Sequence, residues 1–169
     1  MIRPLTFEDA EQFKNLRLET LREDPKAWTS NLESEVNLPV ATFTSMISYG
    51  VQLPIFGYYG SFNENNELVA YAQISPNYRP KKKHVAVISD VAVKKSERKK
   101  GVGAELIQLL IQKAKEVSWV EQVHLWVNSA NDASNFYEKQ GFTRIATVPD
   151  GVKEPDGSYQ DEYLYGLKI

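Results

Sequence analysis

The sequence predicts a single α/β domain built on a mixed β-sheet with helices on both faces. Three observations carry this reading. Short runs rich in β-branched and aromatic residues recur along the chain, and two longer segments place apolar residues at helical spacing. Residues 85–103, VAVISDVAVKKSERKKGVG, pass from an apolar strand through a basic turn into a helix. The 169 residues read as one domain, 1–169, long enough to bury about two thirds of the surface the unfolded chain exposes.

The opening MIRPLT forms a short strand. Thr6, with Asp9 three positions on, starts a helix in the manner of a capping box, and Phe13, Leu16, Thr20 and Leu21 mark its buried face before it ends near Asp24 and Pro25. Residues 27–39 lack a period and read as a loop with short helical pieces, and residues 40–49 form a second helix. Residues 54–62 and 67–75 are strands joined by the turn Asn63-Glu64-Asn65-Asn66, an antiparallel hairpin. A polar turn over 76–83 leads to the strand 85–93.

From Val102, the positions Ile107, Leu110, Ile111, Ala114 and Val117, widened by Leu106 and Leu109, give a helix buried against the sheet. Val123, Leu125 and Val127 alternate as a strand; residues 131–140 form a short helix stopped by Gly141. Residues 142–148 and 159–169 are the last strands, with two Pro-Asp-Gly triplets making the intervening turns. Trp28, Trp119 and Trp126 are expected in the core or on a pocket wall. The resulting order is βααβββαβαββ.

Composition narrows the function. Hydrophobic content of 42% and charged content of 25% suit an ordinary soluble protein, and no apolar run reaches the ~18 residues of a membrane helix. The start MIRPLTFEDAEQF turns polar at once, so no signal peptide is expected and a cytoplasmic location is. The absence of cysteine excludes disulfides, thiolate metal sites and a cysteine nucleophile. His84 and His124 are too few and too far apart in sequence to suggest a metal. A net charge of −2 argues against broad nucleic-acid binding.

The strand–turn–helix stretch has the chemistry of a phosphate site. A helix N-terminus leaves backbone N–H groups unpaired and carries partial positive charge. Gly101 and Gly103 allow positive φ and close approach of an anion, and Lys94, Lys95, Arg98, Lys99 and Lys100 add charge around the same point. A dinucleotide fingerprint needs a third glycine where Leu106 stands, and the Gly-x-x-x-x-Gly-Lys-Ser/Thr phosphate loop is absent.

Arg98-Lys99-Lys100-Gly101-Val102-Gly103 resembles the Arg/Gln-x-x-Gly-x-Gly/Ala signature of the GNAT superfamily of acetyl-CoA-dependent N-acetyltransferases. Residues 131–142, NDASNFYEKQGF, resemble the same family's Asn…Ala…Tyr-Glu-Lys-x-Gly-Phe segment, in the expected order along the chain. The resemblance implies a mostly antiparallel sheet, splayed at the cofactor site. It implies acetyl-CoA as acyl donor, with its diphosphate on the amides of Lys99, Lys100, Gly101, Val102, Gly103 and Ala104, with Arg98 among the cofactor-binding residues, and its pantetheine arm along Val91, Ala92 and Val93 as an added strand. An amide near Val91 would polarise the thioester oxygen.

The resemblance further implies that Tyr137 serves the leaving sulfur. A phenol of pKa about 10 facing a thiol of about 8.5 makes full proton transfer uphill by roughly 2 kcal/mol, which favours hydrogen-bond donation. Asn131 stands one residue closer to Tyr137 than the family often has it, and Asn128 competes for the same cofactor contact. With no cysteine to carry the acetyl group, direct attack by a primary amine in a ternary complex is expected. The amine belongs to a small molecule or a protein. The general base stays open among Ser89, Asp90, His124, Glu33 and Glu35, while Asp161 and Glu162 offer attraction for a cationic amine. Monomer and homodimer are both open. The competing readings are an acyl-CoA sensor without turnover and a nucleic-acid binder using residues 94–100.

Overall fold

The computed structural model describes residues 1–49 and 56–169 of the chain. Its strands are β1 (Ile2–Pro4), β2 (Gly57–Phe62), β3 (Leu68–Pro76), β4 (Val85–Val93), β5 (Gln122–Asn128), β6 (Thr143–Lys153) and β7 (Tyr159–Lys168). Its helices are α1 (Ala10–Glu23), α2 (Leu32–Glu35), α3 (Val40–Tyr49), α4 (Val102–Lys115) and α5 (Ser134–Lys139). The described strands form one sheet in the order β1-β2-β3-β4-β5-β7-β6. β4 and β5 pair in parallel; the other neighbours are antiparallel. Among the described residues no helix is long and apolar enough to cross a membrane.

Strand alternation divides the core in two. Ala70, Ala72 and Ile74 of β3 pack with Leu106, Ile107, Leu110, Ile111 and Ala114 of α4 on one face. Tyr71, between them in sequence, packs on the other face with Phe13 and Leu16 of α1 and Phe43 and Ile47 of α3. Phe13 sits edge-on to Tyr71, Tyr58 and Phe43 at centroid distances of 4.7, 4.9 and 6.2 Å. Each fully buried Leu, Ile or Phe contributes about 1.5–3 kcal/mol, so the two apolar layers fix the sheet between the helices.

The predicted elements recur with two differences. The loop 27–39 carries a short helical piece as expected, the four-residue helix α2, capped by the Asn31 side chain, which accepts a hydrogen bond from the Ser34 N–H at 2.9 Å. The strand expected from Pro54 starts, among the described residues, at Gly57; Pro54 and Ile55 lie outside them. The first Pro-Asp-Gly triplet does not turn the chain. It forms a bulge inside β6, where the register slips between Val148 and Val152, with Asp150 at φ +52° and its N–H donating to Asp161 Oδ1 at 3.1 Å. Pairing with β7 resumes beyond the bulge, and the second triplet makes the hairpin.

Candidate functional site

The centre of β4 is irregular. Ala92 pairs with Tyr71 and Ser89 with Gln73, which leaves Asp90 and Val91 without partners in β3. Asp90 adopts a left-handed conformation, φ +51°, at a typical cost of 1–2 kcal/mol for a non-glycine residue. Side-chain bonds hold it there. The Tyr58 hydroxyl donates to Asp90 Oδ2, and Arg17 Nη1 lies 3.5 Å from Oδ1. Arg17, from the buried side of α1, also donates through Nε and Nη2 to Glu35 Oε2 and Oε1 at 2.6 and 2.8 Å, and the Ser30 hydroxyl donates to the same carboxylate.

These bonds shift the groups they join. Burial pushes the Glu35 carboxyl up, but hydrogen bonds from Arg17 and Ser30 outweigh it and hold the pKa below the usual range. Burial and the nearby Asp90 carboxylate push the Tyr58 phenol up. On the other side, pairing between β4 and β5 stops at Val87 and His124. Beyond that point the strands splay, as the family resemblance implies, and the end of β4 faces an opening.

The basic turn closes against the end of β4. Lys99 is left-handed at φ +64°, as is Gly101 at +89°, and α4 begins at Val102. Among the described residues, the N–H groups of residues 99–104 have no intramolecular acceptor. Only one of the two glycines has positive φ. Gly103 is helical, and its missing Cβ serves close approach, since a Cβ there would lie 3.2 Å from Val93 Cγ2 and 3.6 Å from Phe136 Cζ.

The charge expected at this turn is largely spent within the protein. Arg98 donates through Nε to Val93 O at 3.0 Å and pairs with Asp24 at 2.6 Å; Lys100 pairs with Glu97 at 3.1 Å and Lys94 with Glu67. Arg98 therefore fastens the turn to β4 and to the end of α1. Lys95 and Lys99 have no ion-pair partner among the described residues.

A cavity of about 860 Å³ runs from this turn along β4. Arg98, Lys99, Gly101, Gly103 and Ala104 line one end, and Val91, Ala92 and Val93 line the strand edge. Phe136, Tyr137 and Asn131 line the far wall. Of the residues expected here, Lys100 and Val102 do not reach it. Residues 23–28 at the end of α1 also line it; of these the sequence reading offered only Trp28, because the rest carry no motif. Asn128 holds that segment: its Nδ2 donates to Lys26 O and Trp28 O at 3.2 and 3.3 Å. Asn128 is thereby engaged within the protein and does not line this cavity, whereas Asn131 does; both line the smaller cavity that adjoins it.

A second cavity of about 340 Å³ occupies the splay, with Ser89, Asp90, Trp126 and Glu162 in its lining. The two share Ala27, Trp28, Val91, Asn131 and Tyr137. Tyr137 is 7% exposed, lies edge-on to Phe136 and Phe142 at 5.0 and 6.1 Å, and has a hydroxyl with no hydrogen-bond partner among the described residues. Burial raises its pKa.

Among the candidate bases, Ser89 and Asp90 line the second cavity. His124, held by Gln122 at 3.0 Å and lowered in pKa by burial, Glu33 and the Arg17-bound Glu35 line neither. Trp28 and Trp126 are wall residues. Trp119 is a correction: it is 44% exposed beyond the end of α4, past the last buried turn of its stripe.

The Acetyltransferase (GNAT) family model matches residues 16–142. No protein with a curated description matches the sequence. Solved structures are similar over the full chain. A GNAT-family acetyltransferase from Streptococcus pneumoniae superposes with TM-score 0.88 at 19% identity, covering 100% of this chain and 99% of that one. A ribosomal-protein-alanine N-acetyltransferase from Brucella melitensis gives 0.84 at 22% identity, with 100% and 99% covered. A phosphinothricin acetyltransferase from Sinorhizobium meliloti, in complex with AcCoA, gives 0.81 at 17% identity, with 100% and 88% covered. The family match spans most of the chain, both motifs lie within it, and the fold agrees throughout; the chain belongs to the GNAT family of acetyltransferases, whose acyl donor is acetyl-CoA.

Proposed function

We propose that the protein transfers the acetyl group of acetyl-CoA directly to a primary amine within a ternary complex. The observation that carries this reading is the meeting of two cavities at Tyr137 and Val91. One leads to the unpaired amides of residues 99–104 and fits a diphosphate: successive N–H groups, a helix N-terminus and no Cβ at Gly103 to block approach. The other is room for an acceptor. The Sinorhizobium enzyme, in complex with AcCoA, supports a donor in this type of fold.

The chain's own residues then have separate tasks. The end of β4, unpaired beyond Val87 toward β5, takes the pantetheine amides as a neighbouring strand would be taken. The N–H of Val91, a residue without a partner in β3 and lining both cavities, faces the charge that develops on the thioester oxygen. Tyr137 donates a hydrogen bond to the departing sulfur. Its raised pKa makes complete transfer of the proton costlier than for an ordinary phenol. The amine nitrogen forms the new C–N bond as the C–S bond breaks, and its extra proton leaves to water or a neighbouring carboxylate. No cysteine is available to hold the acetyl group.

The test is initial-rate kinetics with both substrates varied and thiol release as the signal. Intersecting reciprocal plots are expected; parallel plots, the mark of a covalent acetyl-enzyme, would overturn direct transfer.

A further inference from the structure

We infer that the cavity in the splay selects a small acceptor carrying a second positive charge, with Glu162 as the residue that recognises it; this rests on the transferase reading above. Four observations converge. The cavity, about 340 Å³, is at the small end of the ~300–1,000 Å³ typical of ligand pockets. Its charged lining consists of Asp90 from β4 and Glu162 from β7, two strands separated by β5 in the sheet, and no lysine or arginine lines it. Asp90 is already answered by Tyr58 and Arg17, whereas the Glu162 carboxylate has no hydrogen-bond or ion-pair partner among the described residues. Tyr137, more than nine-tenths buried, brings an unpartnered hydroxyl to the junction with the donor cavity, which marks where the reacting nitrogen must sit.

The acceptor is thereby oriented. Its reacting amine lies near Val91 and Tyr137, its apolar middle runs between the indoles of Trp28 and Trp126, and its second cation reaches Glu162. Trp faces suit both methylene groups and a nearby cation. An amino acid fits poorly, since its carboxylate would meet Glu162 and Asp90 with no cation in the lining to receive it, and like charges in a partly closed site discriminate strongly. Of the basic residues in the turn before α4, the two without an ion-pair partner among the described residues, Lys95 and Lys99, stand instead at the donor's phosphate end.

Three amines of matched length separate the possibilities: putrescine with two positive charges, butylamine with one, and γ-aminobutyrate with a carboxylate at the far end. Calorimetric binding of each to the protein saturated with coenzyme A is measured beside kcat/KM for thiol release from acetyl-CoA. Putrescine is expected to bind about tenfold more tightly than butylamine, the scale of one charged hydrogen bond, and γ-aminobutyrate least. Glu162→Gln should collapse the putrescine advantage, and Glu162→Lys should move the preference to γ-aminobutyrate, with acetyl-CoA affinity as the check on folding.

Binding of γ-aminobutyrate as tight as that of putrescine, an undiminished putrescine advantage in Glu162→Gln, or no measurable binding of any of the three overturns the inference. Charge-ordered binding without thiol release leaves the cation site standing and removes the transferase. Thiol release without charge order does the reverse.

Discussion

The two cavities that meet at Tyr137 are polar for different reasons. The donor end draws its polarity from main-chain N–H groups of consecutive residues, 99–104, set by one turn and one helix start. The acceptor end draws it from carboxylates on separate strands, and one of them, Asp90, is held by Arg17 from a helix 73 positions earlier in the chain. Each end contains a left-handed non-glycine residue, Lys99 or Asp90. Lys99 is exposed with no ion pair; Asp90 is tied by two side chains. A site made of amides tolerates change in the side chains around it. A site made of side-chain charges depends on the partners that place them.

This contrast can be broken from either end. The largest effect is expected from Arg17→Met, which leaves Glu35 buried without its cation and Asp90 without its ion pair. Removing one partner of a buried pair costs about 3–5 kcal/mol, read as a lower urea midpoint. The pH dependence sharpens the point. The folded-state pKa of Glu35 lies below its unfolded value of 4.5, so its stabilisation is complete above that value and is lost as pH falls through the folded one. Stability curves of the wild type and Glu35→Gln should therefore converge in acid; parallel curves would remove Glu35 from the network.

Next in size is Gly103→Val at the donor end. The added side chain meets Val93 and Phe136 and covers the amides. Acetyl-CoA affinity should fall about a hundredfold, some 2.7 kcal/mol, with thermal unfolding still cooperative. Unchanged calorimetric affinity would mean the phosphates sit elsewhere. Tyr137→Phe, at the junction, should reduce kcat about ten- to a hundredfold with little change in acetyl-CoA affinity, the range for a lost hydrogen bond to a charged group. Because burial raises its pKa, ionisation of Tyr137 adds no alkaline limb to the wild-type rate profile near pH 10. The smallest change is Gly101→Ala. Nothing lies within 4 Å of the new Cβ, so only the left-handed backbone is strained, by about 1 kcal/mol, and a melting curve should register it.

Sequence legibility followed the same division. The boundaries of α3 and β4 were readable because apolar spacing and turn residues are local signals, and the basic turn before α4 was readable because Gly101, Gly103 and the following helix stripe are contiguous. The left-handed Lys99 was missed, since nothing in Arg-Lys-Lys-Gly marks which residue bends. The first Pro-Asp-Gly triplet misled for the converse reason: turn-forming residues also suit a bulge, and pairing with β7 on both sides of the triplet chose the bulge. Trp119 misled because the apolar stripe of α4 ends before it.

The amino-acid sequence by itself determined the order of elements, the basic glycine turn before α4 and the family, because hydrophobic period, capping residues and a six-residue motif act over one or two turns of chain. The tertiary structure alone decided the wall at residues 23–28, the Arg17–Glu35–Asp90 network, the bulge at Asp90 and Val91 and the placing of Glu162 in one cavity with Asp90. Those features depend on which side chains meet across the sheet. That meeting is fixed by strand register and by packing on two faces, neither of which is encoded in any single stretch of residues.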